Sequence, residues 1–340
     1  MLSFVRILFF SLLVFSTLPA SVLASELGAD VLGGERQTTG TVFMVSPDDF
    51  GFNQETAASN VFQNAPGNPE VVKQRAMAEF SGMVERLRAS GIRVITLPSR
   101  RDIKTPDAVF PNNWFSLHKS VSGERVLVGY PMLAPNRRAE RRLGELTEKL
   151  NASAMPVSRT VDLSQYEAQG IFLEGTGSLV LDRVHRIAYA ALSPRTDKKV
   201  LADFSEKLGY RPVPFSSFDA SGKLIYHTNV MMSVGDRFAV ICAEAISDAE
   251  ERAAVLKALE SSGKTVITIT QAQVRAMCGN ILQLEAQGRK LIVMSQTAFD
   301  NFTPEQKSVL AGFGELLPVS IETIETVGGG SARCMLGEVF

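Results

Sequence analysis

The sequence predicts an α/β fold of five pseudo-symmetric units set radially into a ring, closed by strands from the N- and C-terminal ends of the chain. Three observations carry this. One order of elements recurs: apolar strand, tight turn, second strand, amphipathic helix, third strand. The recurrences start near residues 109, 171, 225, 281 and 333, an interval typical of repeat architectures. The last copy is split, its first strand "ARCMLGEVF" ending the chain while its remainder lies near the mature N terminus. A ring joined at its two ends accounts for that split.

The elements follow from residue type. In the first unit "VFPNNWFSLHKS" turns through "VSGE" into "RVLVGY", and a charged helix follows around 137–150. The second runs "IFLEGTGSLVLD", "RIAYAALS", a helix near 196–208 and "RPVPF". In the third, "KLIYHTNVMMSV" turns at "GD" into "RFAVICA"; a helix over about 247–260 presents Ala253, Val255, Leu256 and Leu259 on one face, and "TVITIT" closes the unit. The fourth runs "NILQLEA", turn "QG", "RKLIVMS", a helix near 303–312 and "ELLPVSI". "TVFMVS", a helix over about 70–89 and "IRVITLP" complete the split unit. Strand runs are rich in β-branched and aromatic residues, and the turns carry Gly beside Asp, Ser or Gln.

The chain of 340 residues is 45% apolar and 21% charged with net charge −1, enough for a large core. Disorder is excluded as its main theme. "NRRAERR" at 136–142 is too short a basic run to mark a nucleic-acid partner. Residues 1–24 read as a secretory signal peptide: Arg6, then "ILFFSLLVFSTLPASVLA", with Val22 and Ala24 at the −3 and −1 positions. An uncleaved anchor is the alternative. Cleavage before Ser25 predicts an exported, periplasmic or secreted protein, with 25–340 as a single catalytic domain and no stable membrane span. Cys242, Cys278 and Cys334 are too few and too scattered for a disulfide framework or a zinc site. Cys242, in "RFAVICAEA", reads as a small buried hydrophobe, whereas Cys334 among glycines is open to approach.

At or just before the first strand of each unit stands a polar residue out of keeping with its neighbours: Asp107, Glu174, His227, Asn280 and Cys334. A radial array brings equivalent positions to one axis, so two carboxylates, an imidazole and a thiol share one funnel. Singly, each has an ordinary role open to it. Asp107 after Pro106 starts a turn, His227 can be a core histidine, and Cys334 a packed thiol. Glu174, directly after "IFL", needs a partner because burying it alone is costly. His118 and His185, beside Lys119 and Arg186, read as solvated surface. As a set, a thiolate supplies a nucleophile and imidazole relays protons. Paired carboxylates suit a planar cation such as a guanidinium and disfavour a cysteine protease, whose thiol they would keep protonated.

The motifs "PDAVFPNNW", "LEGTG", "YHTN" and "GGGSARCM", in that order, resemble the guanidine-modifying pentein superfamily: arginine deiminases, dimethylarginine dimethylaminohydrolases and glycine amidinotransferases. With "MVSPDDFGFNQETAASNVFQ" at 44–63, the chain is most similar to the bacterial amidinotransferase-like proteins named for citrulline utilisation. The resemblance implies a five-unit α/β propeller, with Cys334 as nucleophile, His227 as general acid and base, and Asp107 and Glu174 clamping the substrate nitrogens. It implies no metal and no cofactor. Arg195 in "ALSPRTD" looks like the arginine that reads a substrate α-carboxylate. Asn112 and Asn113 fall where dimethylarginine hydrolases carry an acidic pair, and neutral amides there ease acceptance of a ureido group such as that of citrulline. The loop "DDFGFNQ" at 48–54 resembles a lid, with Asn53 reaching the substrate. Trp114 reads as core. A departure lies in "GYPMLAPNRRAE", where Tyr130 or Pro131 stands at the position of a substrate-binding arginine of those hydrolases.

The expected activity is cysteine-dependent hydrolysis of a C–N bond in the guanidino or ureido group of arginine, a methylated arginine or citrulline. The expected partner is that small amino acid alone. Amidino transfer to an amine is the enzymatic alternative, and a non-catalytic ligand-binding member the other.

Overall fold

The computed structural model describes residues 35–65, 67–120 and 122–340, so the segment read as a signal peptide lies outside the described residues. Strands β1 (Thr41–Val45) and β2 (Arg93–Leu97) are followed by β3 (Phe115–Lys119), β4 (Arg125–Gly129) and β5 (Arg159–Asp162). Next come β6 (Val180–Asp182), β7 (Ile187–Ala191) and β8 (Arg211–Phe215), then β9 (Met232–Val234), β10 (Phe238–Ile241) and β11 (Thr265–Thr268). The last are β12 (Leu282–Ala286), β13 (Arg289–Ser295), β14 (Glu315–Val319) and β15 (Gly337–Val339). They form five three-stranded sheets: β15-β1-β2, β3-β4-β5, β6-β7-β8, β9-β10-β11 and β12-β13-β14.

Every sheet has the same wiring: its middle strand pairs antiparallel with one neighbour and parallel with the other. A parallel pair needs a long crossover. Helices Pro69–Ala89, Leu143–Ala152, Lys198–Leu208, Ala249–Ser261 and Pro304–Ala311 supply one per sheet. Their starts are set locally. Asn68, Asp197 and Asp248 each accept a backbone N–H in the first turn, and Thr303 forms a capping box with Gln306. In Pro69–Ala89 the buried residues Val72, Ala76, Phe80, Met83, Val84 and Leu87 recur at helical spacing. Strands β7 and β10 are buried along their whole length, matching their unbroken apolar runs, while the third strands β8 and β11 are half exposed.

The split unit is joined as expected: β15 pairs antiparallel with β1, Thr41 opposite Val339 and Phe43 opposite Gly337. Phe43 then meets Trp114 and Phe115 edge-on at 6.0 and 5.5 Å, so Trp114 is indeed core.

Three expectations are corrected. The long first strands are shorter, because "EGTGS" and "HTNVM" form the one-turn helices Gly175–Ser178 and Thr228–Met231 ahead of β6 and β9, and the residues around Cys334 form turns ahead of β15. Gly, Ser and Asn there favour turns over a ladder. The charged helix of the first unit is two helices, Pro135–Arg138 and Leu143–Ala152. His118 is fully buried, not solvated: its Nδ1 lies 3.3 Å from Glu35, whose carboxylate also accepts from Arg183 at 2.5 Å and from Tyr210 at 2.7 Å. Partners remote in sequence make that burial tolerable. His185 keeps its surface position, its side chain 44% exposed.

Candidate active site

The residues that precede the first strands converge through helical turns. Asp107 opens the turn that leads into the 3₁₀ segment Pro111–Asn113, its carbonyl accepting from Phe110 N at 3.0 Å. Glu174 and His227 are the residues from which Gly175–Ser178 and Thr228–Met231 start. Cys334 closes a turn, its N–H donating to Ser331 O at 2.9 Å. One glycine in "LEGTG" has a steric reason: a Cβ on Gly177 would lie 2.3 Å from Asn113 Nδ2 and 2.7 Å from His227 Nδ1, so its hydrogen lets the amide and the imidazole come together. Gly329 takes a left-handed φ of +65°, and Asn60 and Tyr226 grip its carbonyl. These bonds order the glycine run ahead of Cys334.

Asp107, Arg137, Arg195, Tyr226, His227 and Cys334 line a narrow cavity of about 10 Å³. Glu174 lies behind the imidazole. Its Oε2 accepts from His227 Nε2 at 2.8 Å and from Arg195 at 3.4 Å, and its Oε1 accepts from Leu133 N at 3.0 Å. Burial pushes its acidity down, but the charges of Arg195, His227 and Arg137 outweigh this and hold the carboxyl well below the usual range. Burial also lowers the imidazole of His227 to about 4 against the pull of Glu174. At neutral pH the pair is a carboxylate and a neutral ring: Nε2–H is committed to Glu174 and Nδ1 presents a lone pair. Glu174 thus orients His227 and Arg195 here and does not itself face the cavity.

Asp107 is different. Its Oδ2 accepts from Asn53 at 2.8 Å and Thr56 at 3.1 Å, yet its Oδ1 is buried with no partner. Burial pushes its carboxyl above the usual carboxylate range, opposed by Arg137. An orphaned carboxylate oxygen in a cavity wall is a seat for a donor that the protein does not supply. Cys334 Sγ receives Asn229 Nδ2 at 3.3 Å and Asn280 Nδ2 at 3.2 Å. By contrast, burial drives the Cys242 and Cys278 thiols up to about 11 and 12, in line with packing roles.

The other expected residues divide. Arg195 reaches the cavity, held by Ser59 at 2.6 Å and stacked on Tyr226 at 4.9 Å. Asn113 also lines it; its Oδ1 accepts from Arg137 at 2.8 Å and its Nδ2 is unpartnered. Asn53 holds Asp107 and caps the helix Gln54–Ala57, behind the cavity wall. Asn112 is buried away from the cavity and contributes its carbonyl, which accepts from Thr176 at 3.2 Å. In the loop 48–54, expected as the lid, Asp48 and Asp49 accept from Ser99 N and Thr105 N at 2.9 Å, and the residues that cover the site are instead 53–60, since Asn53, Thr56, Ser59 and Asn60 bond Asp107, Arg195 and the terminal glycines.

Sequence reasoning missed Arg137, taken as part of a charged helix. It is buried, bound to Glu140 at 2.9 Å, to Asn113 and to the Phe110 carbonyl at 3.2 Å. Its signal was "APNR", a proline-started turn directly after an apolar strand. Asn229 was overlooked inside the quoted "YHTN". Among the described residues no group of three or more His, Cys, Asp or Glu is arranged to hold a metal.

A family model described as N,N dimethylarginine dimethylhydrolase, eukaryotic, matches residues 46–340. No curated protein matches the chain. Among solved structures, the N-terminal domain of ArgZ in a variant covalently bound to a reaction intermediate is 16% identical, with TM-score 0.66, covering 88% of this chain and 97% of that one. ArgZ itself is described as an arginine dihydrolase from cyanobacteria, and this chain spans 40% of its full length. An AgrE variant in complex with L-arginine is also 16% identical, with TM-score 0.67, covering 88% of this chain and 40% of that one. A dimethylarginine dimethylaminohydrolase adduct with 4-chloro-2-hydroxymethylpyridine is 14% identical, with TM-score 0.55, covering 88% and 99%. At these identities the likeness is one of fold.

Proposed function

The chain belongs to the eukaryotic N,N dimethylarginine dimethylhydrolase family of the pentein superfamily, and from that premise we propose that it hydrolyses a C–N bond in the guanidino group of arginine or a methylated arginine through a covalent Cys334 intermediate. Its class is hydrolase acting on carbon–nitrogen bonds other than peptide bonds. One observation carries the site assignment: the unpartnered Asp107 Oδ1, the Cys334 sulfur and the neutral His227 ring line one buried cavity.

In this reading a substrate N–H donates to Asp107 Oδ1, which replaces an unsatisfied acceptor by a charge-assisted bond. Cys334 gives its S–H proton to His227 Nδ1 as its sulfur attacks the guanidino carbon and forms a tetrahedral adduct, and this is the proton the ring then hands on. His227, supported by Glu174, passes a proton to the departing nitrogen as the C–N bond breaks, releasing ammonia or a methylated amine. Water then gives its proton to His227 Nδ1 and attacks the thiouronium carbon. Loss of the sulfur leaves a ureido product. Residues 53–60 act as the lid and must open to admit substrate, because they bond the cavity-lining residues Asp107 and Arg195. Arg195 reads the substrate's α-carboxylate. The five identically wired sheets favour a closed propeller, and the signal-peptide pattern of residues 1–24 favours export of 25–340 as one domain.

A second reading, turnover of the ureido group of citrulline, is favoured by Asn113, whose unpartnered Nδ2 stands across Gly177 from His227 Nδ1 and suits a carbonyl oxygen. Incubation with arginine, dimethylarginine and citrulline, with assays for ammonia, dimethylamine and ornithine, separates the two. Dimethylamine or ammonia without ornithine supports the first alone. No release from any of the three overturns both.

A further inference from the structure

We propose that Tyr226 is a positioning residue that aligns the two halves of the site, its hydroxyl holding the turn that carries Cys334 and its ring face holding the guanidinium of Arg195. This rests on the reading above, since it concerns how the same site is set. Tyr226 directly precedes His227 and is buried. Its Oη donates to the Gly329 carbonyl at 2.7 Å. A carbonyl can only accept, so the direction of this bond is fixed. Burial raises the phenol above its usual range, which keeps the proton on the donor at working pH. Gly329 ends the helix Glu322–Gly328 in a left-handed conformation, and the chain runs from it into the Cys334 turn. Asn60 of the lid reaches the same carbonyl at 3.4 Å, so the phenol is its closer partner.

The ring works separately from the hydroxyl. The Arg195 guanidinium lies over it at 4.9 Å, and the His227 ring stands 4.6 Å away. Ser193 ties the two backbones, its Oγ donating to the Tyr226 carbonyl at 2.8 Å and accepting from Arg195 N at 3.1 Å. The other partners of the Arg195 side chain are Glu174 at 3.4 Å and two lid groups, Ser59 Oγ at 2.6 Å and Thr56 O at 3.3 Å. Opening the lid removes the last two. The Tyr226 face and Glu174 then keep the guanidinium aimed at an entering carboxylate. A ring needed for packing alone would carry no hydroxyl, because a buried hydroxyl is costly without a partner. Phenylalanine keeps the face and loses the donor, whereas leucine loses both, so the two contributions can be told apart.

The test combines steady-state kinetics with amide hydrogen exchange, read by mass spectrometry in the full protein. In Tyr226→Phe, kcat for arginine falls about tenfold while KM stays within about twofold. Exchange of the peptide 329–336 speeds up about tenfold in that variant, and the β7 and β10 peptides keep their wild-type rates. In Tyr226→Leu, KM for arginine also rises about tenfold. Agmatine, which is arginine without its carboxylate, loses no more in Tyr226→Leu than in Tyr226→Phe. Wild-type exchange of 329–336 in Tyr226→Phe would overturn the hydroxyl tie, and an equal further loss for arginine and agmatine in Tyr226→Leu would overturn the role of the ring. Should Tyr226→Leu fail to fold, Tyr226→Phe decides alone, since a raised KM at unchanged kcat contradicts the division. Exchange needs no substrate, so the two ideas fail separately. If neither guanidino compound is turned over, the hydrolase is lost while exchange still decides the tie; unchanged exchange with normal turnover removes the tie and leaves the hydrolase.

Discussion

Glu174 and Asp107 are both buried carboxylates, yet their hydrogen bonds give them different work. Glu174 has spent both oxygens on Leu133, His227 and Arg195, whereas Asp107 keeps one bare. Removing either therefore has separable effects. Asp107→Asn is expected to lower kcat/KM by about 100-fold, the value of one charge-assisted bond, in steady-state kinetics. Glu174→Gln is expected to lower kcat by a comparable factor with little change in KM, because the ring loses its fixed tautomer. A pH signature follows from His227. Its folded-state constant, near 4, lies below the ordinary histidine value of about 6.5. Between those values the unfolded chain binds a proton that the folded chain refuses, so stability falls as pH drops from about 6.5 towards 4. Buried His118, lowered by burial, acts in the same sense. Urea midpoints across this range should decline more gently in His227→Gln. An equal slope would mean that the ring is protonated in the native protein.

The elements that matter most are the shortest. One-turn helices set Glu174 and His227, and their close approach depends on Gly177. Gly177→Ala is expected to lower kcat at least tenfold by pushing Asn113 or His227 aside, at an overpacking cost of about 1–3 kcal/mol. A variant with unchanged kcat would show that the pair tolerates displacement. These turns also mark the limit of what was legible in the sequence. His227 and Cys334 stood out because a polar side chain interrupted an apolar run at the same phase of each unit. The break of strand into helical turn did not, since "IFLEGTGSLV" and "LIYHTNV" keep strand-like apolar residues on both sides of the break. Arg137 was hidden for a different reason. A basic residue in "NRRAERR" is indistinguishable from a solvated one until Glu140, Asn113 and Phe110 are seen packed around it. His118 was misread in the same way, its partner Glu35 lying far upstream near the start of the described chain.

At the scale of the molecule, the first and last strands of the described chain share one sheet, and the Cys334 turn leads directly into the pairing of β15 with β1. Glu338 ties that sheet to the core through Arg333 at 2.7 Å and Arg183 at 3.6 Å, all three buried. Glu338→Gln leaves a buried guanidinium short of its counter-charge and is expected to destabilise the protein by about 3–5 kcal/mol in urea unfolding. The repeat pattern, readable from apolar runs and turns, gave five sheets and joined ends. It could not give the N-terminal segment that carries Glu35 and Gln37 into the interior, where Gln37 bonds Leu181 O at 3.0 Å and Val234 O at 3.1 Å. The central claim is that the five units set a single sulfur, that of Cys334, against a guanidino carbon. Acid quenching during turnover of arginine or dimethylarginine, with mass spectrometry of the C-terminal peptide, tests it most directly. An adduct on Cys334 that disappears as substrate is exhausted, together with loss of turnover in Cys334→Ser, is the expected result. Full turnover by Cys334→Ser with no adduct in the wild type would contradict it.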